Sequence, residues 1–248
     1  MQTPAKVKPA IILIGPPGSG KGTQGMLLSE KLGLYYFETS RLLEERFKEA
    51  GEEDFVEADG QKFFIKKEHR LWLDGILCSP PFVTEIVKEK VRELREKGEG
   101  ILFSGSPRTL YEAEQLIPFL MKLYGQDNIK IVFLEMSPQE SIFRNSNRRI
   151  CELMRHPILF NDQTSHLTGC PLDGYELVKR KGLDDPETIK IRLQQFEERT
   201  VPILQYCRDN NWNVAKINAE GSVAEVFERV RSVLQWAGKR LQLKPQQK

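Results

Sequence analysis

The sequence predicts an α/β protein in which a parallel sheet is covered by helices on both faces. Apolar runs recur at Ile11–Ile14, Ile101–Phe103, Ile129–Leu134 and Asn213–Ile217, with helical patterns between them. Strands buried on both faces read as continuous apolar runs, and their alternation with helices leaves parallel pairing as the natural architecture. The third observation is a glycine-rich stretch placed between the first run and the first helix.

That stretch is Gly15-Pro16-Pro17-Gly18-Ser19-Gly20-Lys21-Gly22-Thr23, preceded by Ala10–Ile14 and followed by Gln24-Gly25-Met26-Leu27-Leu28. It fits G-x-x-x-x-G-K-[ST] in the strand–loop–helix setting that the phosphate-binding loop requires. Glycines let backbone N–H groups curl around a polyphosphate, and the helix N-terminus favours the anion. Gly15, Pro16, Gly18, Ser19, Gly20 and Gly22 are the loop expected to cradle the phosphates. Lys21 is expected to reach the β/γ-phosphates, and the Thr23 hydroxyl to sit beside Mg²⁺. The fold class is therefore a P-loop NTPase-type sheet, and its ligand a nucleoside triphosphate.

Further along, Val83, Val87, Val91 and Leu94 mark a helix that ends at Gly98. Ser137-Pro138-Gln139-Glu140 has the form of a capping box with proline at the first helical position. Arg144 and Arg148, four apart on that helix, are expected to share a face. Asp185-Pro186 starts another helix, with Ile189, Leu193 and Phe196 on one side. Ser222-Val223-Ala224-Glu225 is a second capping box, followed by Val226, Phe227, Val230, Val233 and Leu234 at helical spacing. Residues 40–80 and 149–183 break the alternation, and long irregular segments inside compact domains are usually lids or binding loops.

The chain has 248 residues, of which 40% are hydrophobic and 29% charged, with a net charge of +2. These are the proportions of a globular protein. Near-neutral charge gives no basic field for nucleic acid, no apolar run reaches membrane-spanning length, and Met1–Pro9 has no secretory apolar stretch. The expectation is a cytoplasmic protein with no nucleic-acid or membrane partner. Cys78, Cys151, Cys170 and Cys207 are then thiols or metal ligands rather than disulfides. Residues 239–248 are expected to be a flexible tail.

Over nearly its whole length the chain resembles adenylate kinase and its nucleoside monophosphate kinase relatives. Gly15–Gln24 is similar to the family's phosphate loop. Gly105-Ser106-Pro107-Arg108-Thr109 is similar to its Asp-Gly-Phe-Pro-Arg-Thr block. Arg148-Arg149-Ile150-Cys151 resembles the start of its lid, and Glu176–Arg180, Asp184-Asp185 and Arg192-Leu193 resemble the lid's exit. The segment from Asn218 to Val226 resembles the one beside the ATP adenine, which brings in Val223. The resemblance implies a core of residues 1–39, 83–146 and 184–238, an acceptor-binding subdomain of 40–82, and a lid of 147–183. It implies a monomer that moves the γ-phosphoryl group of ATP reversibly, with Mg²⁺, to a nucleoside monophosphate. Phosphoryl transfer asks for position and positive charge, and guanidinium forks suit phosphate. By resemblance, Arg148, Arg180 and Arg192 clamp the moving group with Lys21, Arg144 lies along ATP, and Arg108 holds the acceptor phosphate.

Departures from the family pattern fall mainly on the acceptor side. In Glu38-Thr39-Ser40-Arg41-Leu42-Leu43-Glu44, Thr39 matches a residue that contacts the acceptor base, but Glu44 replaces a phosphate-binding arginine. Arg41 is expected to pair with Glu44 or take over the phosphate, with Arg46 as another substitute. Ser104 replaces an aspartate that orders water around Mg²⁺, which implies slower transfer or weaker Mg²⁺ binding. Glu112 replaces a glutamine that reads AMP. It can accept from adenine's amino group, select a base with two donors, or simply cap the helix opened by Thr109. Phe63, Phe64, His69 and Trp72 fit a local core better than a stacking shelf. Many family lids hold Zn²⁺, and here Cys151, Cys170 and Asp173 match ligand positions. Met154 occupies the fourth, and His156 or His166 could replace it. A zinc-free lid held by hydrogen bonds is the alternative. Three readings of function stay open: transfer to AMP giving two ADP, transfer to another nucleoside monophosphate, or a catalytically impaired ATP-binding module.

Overall fold

The structure, a computed structural model, describes residues 7–74, 76–179 and 184–234. The chain opens with β1 (Ala10–Ile14), the glycine loop and α1 (Lys21–Leu32), then β2 (Tyr35–Phe37) and α2 (Thr39–Glu49). A hairpin of β3 (Phe55–Ala58) and β4 (Gln61–Phe64) leads to α3 (Ile65–Leu73) and α4 (Pro80–Glu96). β5 (Ile101–Phe103), α5 (Leu110–Tyr124), β6 (Ile129–Glu135) and α6 (Pro138–Ser146) follow. Three short strands come next: β7 (Arg149–Cys151), β8 (Pro157–Ile158) and β9 (Leu177–Val178). The chain then runs through α7 (Pro186–Gln195), α8 (Val201–Asp209), β10 (Val214–Asn218) and α9 (Val223–Leu234).

The main sheet is parallel throughout, in the order β10-β6-β1-β5-β2. All five residues of β1 are buried, and alternate side chains feed two cores. Ala10, Ile12 and Ile14 join Val87 and Val91 of α4, Leu116 and Leu120 of α5, and Ile203 of α8. Ile11 and Leu13 face the other way, onto Leu28 of α1 and Val226, Val230 and Leu234 of α9. Burying a leucine- or isoleucine-sized side chain contributes about 1.5–3 kcal/mol, so the sheet's two covered faces are the main source of stability. The smaller pieces stand apart as an antiparallel β3–β4 pair and a three-stranded sheet in the order β8-β7-β9. They occupy the two stretches whose sequence breaks the strand–helix alternation.

Local chemistry sets the helix ends. Asp185 accepts from the Thr188 amide at 2.9 Å, as its Asp-Pro start predicts. Ser222 and Glu225 form the reciprocal box, at 2.8 and 3.2 Å. At α4 the cap comes from elsewhere: buried Glu68 accepts both the Ser79 amide (2.8 Å) and its hydroxyl (2.7 Å). Gly98, at φ 72°, supplies the left-handed stop that ordinary side chains resist.

One strand goes unread in the sequence, and three expectations are corrected. β2 is that strand: at three residues, with Tyr35 exposed, it is too short to show a period. Ser137 caps α6, but Glu140 turns forward to Arg144 (2.6 Å), and Glu220 takes the Ser137 amide and hydroxyl instead. α6 ends at Ser146 because the chain must turn into β7, so Arg148 lies beyond the helix that carries Arg144. Phe196 is not on the regular helix of Ile189 and Leu193. It opens a π-turn over Phe196–Thr200, where Pro202 cannot supply the amide that a regular turn needs.

Candidate active site

The glycine loop lies at the C-terminal end of β1, the central strand, and passes directly into α1. Its glycines are required by space and by conformation. A Cβ on Gly15 would come within 2.7 Å of the Leu134 carbonyl. Gly18 sits at φ 81°, and a Cβ there would lie 2.5 Å from the Asn145 amide nitrogen. Behind the loop, the Ser141 hydroxyl donates to the Pro17 carbonyl at 2.7 Å, and Asn145 donates to the Ser141 carbonyl at 2.7 Å. Both side chains are buried on α6. Ser19 is buried in the loop, while Gly20 at φ 83° precedes the first helical residue and Gly22 and Thr23 lie in the first turn of α1.

Lys21 folds over the loop, donating to the Gly15 carbonyl at 2.6 Å and to the Pro16 carbonyl at 2.9 Å. Burial, and then the charges of Arg108, Arg192 and Arg148, push its ammonium down from 10.5 to about 7. The arginines that the sequence scatters over 85 residues therefore converge on one lysine. Arg148 also lies 3.9 Å from the buried carboxylate of Asp184, which precedes α7. Arg180 falls outside the described residues. Such a cluster, held in a partly dehydrated cleft, is arranged to accept concentrated negative charge.

Arg144 stands to one side. It donates to the Ala219 carbonyl at 3.0 Å and the Gly221 carbonyl at 3.3 Å, tying α6 to the β10–α9 connection. Val223 opens α9, and its carbonyl accepts from Gln24 of α1 at 2.9 Å. Arg144 and Val223 thus border the same edge of the loop and helix α1.

On the other side, the Thr39 hydroxyl donates to the Ser106 hydroxyl at 3.0 Å, both buried. A Cβ on Gly105 would meet the Thr39 hydroxyl at 3.3 Å and an Arg108 guanidinium nitrogen at 3.4 Å, so Thr39, Gly105 and Arg108 form one cluster. Glu112 is the cap of this corner. Its carboxylate accepts the Arg108 amide at 3.0 Å and the Thr109 hydroxyl at 3.2 Å, while its own amide donates to Thr109 at 3.2 Å. Burial pushes the Glu112 carboxyl up, against the opposing pull of the Arg108 amide and charge. Ser104, at the end of β5, faces Gly25 of α1. Arg41 corrects an expectation: it pairs with Glu45 at 3.2 Å, not with Glu44. The helix places residue 45, one full turn on, over residue 41, and both side chains are exposed. Arg46 reaches Glu89 at 3.9 Å. Phe47, His69, Trp72 and Phe82 stack together as local core, with ring centroids 4.7 Å apart for Phe47 and His69.

In the three-stranded sheet, Cys151, His156, Cys170 and Asp173 present ligand atoms that all lie within 4.8 Å of one another. Cys151 Sγ is 3.1 Å from Asp173 Oδ2, and His156 Nε2 is 3.1 Å from Cys170 Sγ. Met154 points into solvent at 66% exposure, so the fourth corner is the histidine. Two thiols, an imidazole and a carboxylate at this spacing suit a tetrahedral zinc ion.

Ser141, Asn145 and Thr200 belong to this site and have no motif of their own, while Ser106 lies inside the Gly105–Thr109 block without a role that the block announces. The first pair has a weak signature, small polar residues four apart on a helix that otherwise carries charge. Thr200 has another, the Thr-x-Pro spacing with Pro202.

The adenylate kinase family model matches residues 13–212 of this chain. An adenylate kinase of Chlamydia pneumoniae is 34% identical over 219 residues, covering 88% of this chain and 94% of its own length. One from Clostridium botulinum is 31% identical over 228 residues, covering 90% and 97%. One from Clostridium kluyveri is 32% identical over 229 residues, with the same coverage.

Proposed function

Because the chain belongs to the adenylate kinase family, we propose how its own residues carry out that family's reaction. The activity is ATP-dependent phosphoryl transfer to AMP, and ATP is used with Mg²⁺. Neither a different acceptor base nor a merely ATP-binding module is favoured by these matches.

The observation that carries the assignment of roles is the convergence of Arg108, Arg148 and Arg192 on Lys21. Gly15, Pro16, Gly18, Ser19, Gly20, Gly22 and Thr23 wrap the donor phosphates. Lys21 leaves the loop carbonyls for the β/γ-phosphates. Arg148 and Arg192, with Arg180, neutralise the group in flight, and stabilising charge in this way does more for such reactions than any other single effect. Arg144 and Val223 border ATP. Arg108 holds the acceptor phosphate beside Thr39, and Glu112 serves that site from beneath by fixing the Arg108 amide. Arg41 reaches the acceptor only by exchanging Glu45 for phosphate. Oxygen donors suit Mg²⁺. Thr23, in the first turn of α1, and Ser104, at the end of β5, are the oxygen-bearing residues that would attend it. When bound, Mg²⁺ neutralises developing charge on the phosphates. Ser104 offers it a dipole and no charge.

Residues 40–82 form the acceptor-binding part, 147–183 the lid, and 1–39, 83–146 and 184–238 the core. The supposed tail, 239–248, lies outside the described residues. The donor set of Cys151, His156, Cys170 and Asp173 fits a structural Zn²⁺ in the lid. The chain acts on ATP and AMP as a monomer, without a nucleic-acid or membrane partner. No helix among the described residues is long and apolar enough to cross a membrane.

The deciding experiment measures transfer from ATP to AMP, GMP, CMP, UMP and dTMP in parallel, with Lys21→Ala as control. Preference for AMP and loss of about 10³-fold or more in Lys21→Ala are expected, in the range of removing a charge-stabilising donor. Full activity of Lys21→Ala overturns the roles given above. For the lid, metal analysis of freshly purified protein is expected to find one zinc per chain, lost in Cys151→Ser. Metal-free protein removes the zinc assignment.

A further inference from the structure

Arg108 is held by both of its backbone polar groups, on the two peptide units that flank its Cα. Its amide donates to Glu112 at 3.0 Å, and its carbonyl accepts from the Thr200 hydroxyl at 2.7 Å. Thr200 is 92 positions away in the sequence, 9% exposed, and closes the π-turn of Phe196–Thr200. This turn has a local cause. Pro202 has no amide to give to the carbonyl four residues before it, and its ring crowds that carbonyl. The chain widens, and the Val201 amide reaches back five residues to Phe196. α7, the turn and α8 thus form one rod, and Arg192 stands on it upstream of the turn.

The widening also sets which way Thr200 points. Thr200 follows Arg192 by eight residues. On a regular helix eight residues advance about 800°, which would leave Thr200 roughly 80° round from Arg192. Taking up one extra residue in a wide turn removes about 100° of that rotation, returning Thr200 to within about 20° of the Arg192 direction. One side of the rod then carries both Arg192, whose charge acts on Lys21, and a hydroxyl seated on the Arg108 backbone.

We propose that Thr200 is a positioning residue for the acceptor side of the reaction, locking Arg108 to the rod that presents Arg192 so that the two guanidinium groups keep a fixed separation. This rests on the assignment of Arg108 to the acceptor phosphate. It gives a role to a buried hydroxyl at a packed helical turn, where an apolar side chain would fill the space. Without it the Arg108 carbonyl loses its partner, and the arginine is anchored from one side alone.

The test uses full-length Thr200→Val, Thr200→Ser, Arg108→Ala and the Thr200→Val/Arg108→Ala pair, with KM measured separately for AMP and ATP. Thr200→Val is expected to raise the AMP KM about tenfold, the scale of leaving one buried hydrogen-bonding group without its partner. The ATP KM is expected to hold within about twofold, and Thr200→Ser, which keeps the hydroxyl, to restore AMP binding to within about twofold of wild type. In the Arg108→Ala background, Thr200→Val is expected to add nothing to the AMP KM. Equal losses for both substrates, failure of serine to restore, or a full additional loss in the double variant each overturn the proposal. If Thr200→Val does not fold, Pro202→Ala takes its place. It supplies the missing amide and permits a regular turn, so the same selective loss for AMP is expected, and an unchanged AMP KM overturns the role of the wide turn. A wild-type AMP KM in Arg108→Ala itself overturns the assignment of Arg108, whereas a large loss there with a silent Thr200→Val overturns only the inference.

Discussion

With burial and three arginines lowering its ammonium to about 7, Lys21 is mostly neutral at pH 8 in the ligand-free protein and mostly charged at pH 6. A polyphosphate in the loop restores the charged form, because opposite charge favours the ammonium. ATP binding at pH 8 is therefore coupled to uptake of nearly one proton at Lys21, and at pH 6 to almost none. Calorimetry in buffers of different ionisation enthalpy reads this directly, with Lys21→Met as the baseline that subtracts proton exchange by ATP itself. Equal uptake by wild type and Lys21→Met overturns it. The same shift acts on stability with a definite sign. A lysine whose folded pKa lies below its unfolded value of 10.5 opposes folding fully below about 7, and that opposition fades as pH rises toward 10.5. The ligand-free fold bears this charge concentration for the sake of the ligand.

Among the elements, α4 depends most on a partner outside itself. The amide and hydroxyl of its N-cap residue, Ser79, are served by Glu68 of α3, 11 residues upstream. Glu68→Ala is expected to cost about 1–3 kcal/mol in urea denaturation, since a cap is lost and buried donors are left unpaired. A change under about 0.5 kcal/mol would show that water serves the end equally well. The elements also show where the sequence is legible. β1, the valine face of α4 and the caps at Asp185 and Ser222 follow from patterns only a few residues long, and these can be read directly. The Lys21 loop can be read because phosphate chemistry fixes both residue type and spacing. β2 is too short to show a period. Arg41 chooses Glu45 over Glu44 by helical geometry that the family pattern does not encode. The end of α6 before Arg148, and the seat of Thr200 on Arg108, are settled by tertiary contacts. His156 as the fourth corner of the lid cluster lies between: the residues name the candidates, and only the folded strands choose one.

At the scale of the molecule, the small β3–β4 hairpin packs Val56 and Phe63 against the core and is also strapped to it by a hydrogen bond, the Tyr111 hydroxyl donating to Asp59 at 2.5 Å. Burial, and then the Asp59 carboxylate, push the Tyr111 phenol up to about 12, so the strap persists across the physiological range. Tyr111→Phe is expected to cost no more than about 1 kcal/mol globally, the ordinary scale of a single hydrogen bond. Hydrogen exchange of the hairpin amides should nevertheless quicken several-fold while the β1 amides stay unchanged. A uniform change across the molecule would instead make the contact a generic part of the fold.

The strand order β10-β6-β1-β5-β2 has a wider consequence. The chain segment carrying the hairpin leaves the sheet after β2 and returns at β5, two neighbouring strands on one side of β1. The segment carrying the three-stranded sheet leaves after β6 and returns by β10, two neighbouring strands on the other side. Each excursion begins and ends at one adjacent pair, so neither disturbs the pairing of the other. The architecture is modular in the engineering sense. A chimera that exchanges only the β3–β4 hairpin or only the three-stranded sheet with that of a relative leaves the central strand, its loop, and the helices α4 and α6 that pack on them in place.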